Sequence, residues 1–109
     1  MTWQEIYNKH KDSELMKEFE DYVITLRTAH PQKTIKDIWG YLICFAETKD
    51  IALEIMREFF PTRKSTFTAM HTERIDNESI TNTEYKKTPE QAMFWCASQF
   101  FKLGEDNEV

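Results

Sequence analysis

The chain has 109 residues but only two glycines, three prolines and two cysteines. So little glycine and proline excludes collagen-like and low-complexity architectures and weighs against disorder. The two thiols, Cys44 and Cys96, show no Cys-x-x-Cys spacing, which excludes a disulfide framework and a zinc knuckle. Both fall in predicted helices among apolar neighbours and read as reduced, buried thiols. Long apolar runs are missing as well. The longest, "IWGYLICFA", falls far short of the roughly 20 residues that span a bilayer. The opening "MTWQEIYNKHKD" has no apolar stretch of signal-peptide length. The expectation is a cytoplasmic protein without membrane contact. No motif identifies a reaction or a ligand.

What is present is packing material. Hydrophobic residues make up 40% of the chain and aromatics 14%, enough for one globular domain over residues 1–104, followed by an acidic, disordered tail at 105–109. The formal charge of −5 is unevenly spread. Residues 1–56 carry a net −3, residues 57–102 a net +1 and the tail another −3, so the basic surplus lies in the second half.

Most of the pattern is helical. Thr2 and Glu5 form a capping box that predicts a short helix from Trp3 to about residue 8. Leu15, Phe19, Tyr22 and Leu26 recur at helical spacing, predicting a second helix from Asp12 or Ser13 to Ala29, stopped by His30-Pro31. Thr34 and Asp37 cap a third, "IKDIWGYLICFAE". Its apolar residues cover most of the circumference and mark it as the central element, with Gly40 set for a close helix approach. Residues 51–60 read as a fourth helix, capped by Asp50 and ended by Pro61. "TPEQ" opens the last helix at Thr88, and Gly104 is expected to close it.

One stretch breaks this character. Two alternating runs, 66–75 and 79–85, flank the turn-forming "DNES" and predict an antiparallel β-hairpin. The fold expected is therefore α+β and mostly α: a small helical bundle with one hairpin, about 66–85, before a C-terminal helix. With Ile75 opposite Ile80, Glu73 faces Asn82 and His71 faces Glu84; a two-residue slip puts His71 opposite Asn82. His71 with Glu73 and Glu84 has the composition of a divalent-metal or proton-transfer site. A solvated row of cross-strand pairs explains the same residues, and nearby carboxylates would then favour the protonated imidazole. No second histidine stands close in sequence to complete a metal site, and no cofactor is expected.

Two further groups bear on binding. Arg63, Lys64, Arg74, Lys86 and Lys87 form a basic set suited to phosphates, four of them expected at the open base of the hairpin. On the last helix Met93, Cys96, Ala97 and Phe100 make an apolar face, while Trp95 points elsewhere among Gln91, Ser98, Gln99 and Lys102. A tryptophan there is either covered by the same chain or an anchor for a partner. Glu14, Glu18 and Asp21 make an acidic line on the second helix, suited to solvent or to a basic partner. The function expected is a non-enzymatic regulator that binds another macromolecule, a protein first, in the manner of an inhibitor, antidote or adaptor. The partner-binding residues are Trp95, Gln91, Gln99, Lys102, Glu14, Glu18 and Asp21. Nucleic-acid binding through the basic set is the alternative, and a metal-dependent hydrolase centred on His71 the third reading. Self-association is compatible with the first.

Overall fold

The computed structural model describes residues 2–26, 34–60 and 63–106. Their elements are α1 (Trp3–His10), α2 (Glu14–Leu26), α3 (Ile35–Thr48), β1 (Ile51–Phe60), β2 (Arg63–Ile75), β3 (Glu78–Lys86) and α4 (Pro89–Asp106). The three strands form an antiparallel sheet in the order β1-β2-β3. The fold is α+β.

The helix starts follow from local chemistry. Thr2 Oγ1 accepts the Glu5 N–H at 3.3 Å, and Ser13 Oγ accepts the Met16 N–H at 3.2 Å. Thr34 Oγ1 accepts from the Asp37 N–H at 3.3 Å and donates to Asp37 Oδ2 at 2.6 Å. Thr88 Oγ1 accepts the Gln91 N–H at 3.2 Å. Each satisfies a helix-end donor that would otherwise lack a partner, worth about 1 kcal/mol. The expected stop of the second helix, at Ala29-His30-Pro31, lies outside the described residues, as do residues 107–109 of the acidic tail.

Residues 51–60 are a strand and not the expected fourth helix. Ala, Leu, Glu, Met and Arg favour a helix locally, but Ile51, Leu53 and Ile55 also alternate with Ala52, Glu54 and Met56. The strand pattern wins because pairing with β2 turns Ile51 and Leu53 under α3 and α4, where both are buried, and that burial outweighs the local helix preference. Asp50 does not cap a helix. Its positive φ of 60° turns the chain out of α3 and into β1, a conformation Asp tolerates better than most residues.

The β2–β3 register is the slipped one. Ile75 faces Glu78, His71 faces Asn82, and Glu84 faces Ala69. The loop consists of Asp76 and Asn77 alone, both with positive φ, 49° and 69°. That is the two-residue turn whose twist matches the strands, and it displaces the four-residue loop implied by pairing Ile75 with Ile80.

α4 is the central element, in place of α3. It packs on all three strands and on α1, α2 and α3, whereas α3 meets the sheet at β1. Ala92, Cys96, Ala97, Phe100 and Phe101 of α4 are completely buried. Phe101 stacks with Trp3, Phe19 and Phe100, and Phe45 meets Phe19, Tyr22 and Phe100, so one aromatic cluster joins the four helices. The two glycines exchange their expected roles. At Gly40 an added Cβ would meet nothing within 4 Å, while at Gly104 it would stand 3.0 Å from Leu15 Cβ. Gly104 therefore allows the close approach of α4 to α2, and the helix runs on to Asp106 instead of ending there. Cys96 is buried as expected, but Cys44 is exposed.

Candidate interaction surface

The sheet has one covered face and one open face. Ile51 and Leu53 of β1 and Ala69 and His71 of β2 are buried against the helices. The opposite face presents Met56, 52% exposed, and Tyr85, 64% exposed. Thr72 and Thr81 share a hydroxyl hydrogen bond of 2.9 Å across it, and Thr68, paired to both Met56 and Tyr85, is buried between its neighbours.

His71 belongs to the covered face and is 1% exposed. Neither ring nitrogen has a hydrogen-bond partner, and Glu73 Oε1 lies 3.9 Å from Nδ1, beyond hydrogen-bonding reach. Burial lowers its pKa from the ordinary histidine value, and the Glu73 charge opposes this with a smaller effect. The expectation of a favoured imidazolium is thus reversed, because desolvation outweighs a carboxylate at that distance. Glu84 stands opposite Ala69 and not His71, so the proposed triad does not converge. Among the described residues no three His, Cys, Asp or Glu side chains gather where a metal ion would sit. Cys96, on α4, has its thiol 3.6 Å from the Met70 carbonyl and 3.8 Å from that of Glu54. Burial pushes this thiol up to about 12, so it is an inert packing group.

The basic set does not form one patch. Lys86 pairs with Phe67, whereas Arg74 pairs with Ser79 near the turn, about 23 Å away along the strand at ~3.3 Å per residue. The backbone of Arg63 and Lys64 extends β2 past the Lys86 end; the side chains of both lie outside the described residues. Arg57, which is not one of the five residues of the basic set, stands at that same end over the Phe67 ring at 5.9 Å. Its place opposite Phe67 depends on residues 51–60 being a strand, so no helical reading could find it.

The partner-binding residues on α4 separate into two grooves on either side of Ser98. Trp95 and Gln91, with Phe94, Glu90, Lys86 and Ser98, line a groove of about 580 Å³ where α4 passes the end of β3. Gln99 and Lys102 line another, of about 390 Å³, against Glu5, Lys9 and His10 of α1. Trp95 is half-buried, one side packed on the core and the other in its groove. The N-terminal end of that groove is pinned by Lys36 of α3, whose ammonium lies 2.7 Å from the Glu90 carboxylate. This hydrogen bond holds the Glu90 carboxyl below its ordinary range and the Lys36 ammonium above its own. Of the acidic line, Glu14, Glu18 and Asp21 are all exposed, but Glu18 is already engaged by Lys49 at 2.5 Å.

Comparison with known protein families, curated proteins and solved structures finds no match. The functional reading therefore rests on this geometry. Among the described residues no helix is long and apolar enough to cross a membrane.

Proposed function

We propose that this chain is a small binding protein that acts on another protein through the α4 surface centred on Trp95, as an inhibitor, antidote or adaptor. The observation that carries the reading is the placement of Trp95. It is held by the core on one side and lines the Phe94 and Gln91 groove with the other. A tryptophan fixed in this way offers a large amphipathic surface at little cost in side-chain entropy, which is why the residue is enriched where partners bind most strongly. Gln91 and Lys86 supply the polar rim that a non-obligate interface has around its apolar centre.

The test immobilises the intact chain, beside Trp95→Ala and the rim variant Gln91→Arg, in lysate of its source cells with and without nuclease treatment. The expected result is a protein retained by the wild type and lost by both variants, with the melting temperature of Gln91→Arg unchanged. Retention equal in all three overturns the Trp95 surface. A retained species that disappears with nuclease treatment, and returns when nucleic acid is restored, replaces this reading with nucleic-acid binding at the Lys86 and Lys87 end of the sheet.

A further inference from the structure

β3 is exposed from Glu78 to Tyr85, with Ile80 at 50% and Tyr85 at 64%. It is also a sheet edge. The two residues flanking a two-residue loop exchange both ladder hydrogen bonds, so Glu78, Ile80, Asn82, Glu84 and Lys86 turn their backbone groups toward β2. The Arg74 N–H, which donates to the Asp50 carbonyl at 3.3 Å on the far side of β2, has the phase this alternation requires. The N–H and C=O groups of Ser79, Thr81, Thr83 and Tyr85 therefore point outward from the sheet. β3 contains no proline and pairs without a register shift, so of the devices that blunt an edge it keeps only charge, at Glu78, Glu84 and Lys86, and a partner strand must match those charges. The other edge, β1, does carry a register shift, between Glu58 and Phe60.

We propose that β3 pairs antiparallel with β3 of a second copy, about a two-fold axis at Asn82, to give one continuous six-stranded sheet. The outward phase requires Ser79, Thr81, Thr83 and Tyr85 to bond with one another across the axis. The axis at Asn82 places Thr81 opposite Thr83 and Ser79 opposite Tyr85. It also places Glu78 opposite Lys86, twice by symmetry. These ion pairs fall at positions whose backbone groups face away from the junction, where opposing side chains stand closest. Other registers of the same phase lose this match. An axis at Thr81 sets Glu78 against Glu84, and an axis at Glu84 sets that carboxylate against itself. The chosen register also puts Ile80 beside the Glu84 stem, on the helix side, and joins the two open threonine faces into one. An isologous contact of this kind closes after two copies. A strand-to-strand contact is small, so the dimer is weak and sensitive to salt. The inference uses no contact of Trp95 but shares Lys86 with the rim of that groove, so Glu78→Lys and Thr83→Pro, which lie outside the groove, separate failure of the dimer from failure of the Trp95 reading.

The test is sedimentation equilibrium of the full chain from micromolar to millimolar concentration, at low and high salt. The wild type is expected to show a monomer–dimer equilibrium whose Kd rises with salt. Glu78→Lys and Lys86→Glu each weaken it by about tenfold or more, about 1.4 kcal/mol, and the double variant restores it. Thr83→Pro, which removes one outward N–H and leaves the β2 ladder whole, abolishes it while circular dichroism stays native. A monomer at every concentration, a dimer indifferent to Thr83→Pro, a double variant weaker than either single one, or open-ended growth beyond two copies each overturns the proposal.

Discussion

The two edges of the sheet stand on either side of the same middle strand and have opposite histories. β1 looks helical residue by residue, yet it is a strand because α3 and α4 bury Ile51 and Leu53 beneath them. β3 looks like a strand in its sequence and is one, yet residues 78–85 are all exposed. The covered edge owes its conformation to its surroundings, and the bare edge owes its own to the Asp76-Asn77 turn and to β-branched residues. Local preference and tertiary burial can each make a strand, and they leave different stability signatures.

The sharpest way to break the comparison is to truncate the covered edge. Leu53→Ala removes a side chain that is 2% exposed and should cost about 2–5 kcal/mol, read as a large fall in the denaturation midpoint. A loss under about 1 kcal/mol would mean that β1 is not held by its burial. His71, with Leu53 of the covered edge on one side and Asn82 of the bare edge on the other, gives a second test. Its folded pKa lies below the ordinary value near 6.5, so the unfolded chain takes up the proton more readily. Stability is therefore full above about pH 6.5 and falls as the pH drops below it, levelling off once the folded imidazole also titrates. Melting temperature against pH should show that decline, and His71→Leu should flatten it. A decline unchanged in His71→Leu would assign it to other groups.

Gly40 is exposed on α3, the helix over β1, with open space where a Cβ would stand. Gly40→Ala should stabilise by about 0.5–1 kcal/mol through helix propensity. Gly104→Ala should gain less, since its Cβ must displace Leu15. Equal gains at the two sites would contradict the close approach of α4 to α2. The smallest effect belongs to the bare edge. Ile80→Ala, at 50% exposure, should change stability by less than about 0.5 kcal/mol when measured at a protein concentration that keeps the chain monomeric.

Helix starts were legible because each is fixed within four residues: a hydroxyl at 2, 13, 34 or 88 meets an amide three positions later. The hairpin was legible for a similar reason. Its register was not, since "DNES" can be crossed with two or four loop residues and only the twist of the sheet prefers two. The candidate site was readable in part. Trp95 stood out as misplaced on its helix, but the division of Gln91 from Gln99 and Lys102 into separate grooves depends on what packs on each side of α4. The His71 cluster misled because composition cannot tell a solvated strand face from one that a helix covers.

The sequence by itself determined the caps, the helical segments, the alternating strands around Asp76 and Asn77, and the α+β class, all of which depend on neighbours a few residues apart. Only the tertiary structure decided that residues 51–60 pair with β2 instead of coiling, that Gly104 and not Gly40 admits a neighbouring helix, and that His71 is buried. Each of these turns on which surfaces, distant in the chain, meet to exclude water, and the energy of that burial exceeds the small local preferences against it.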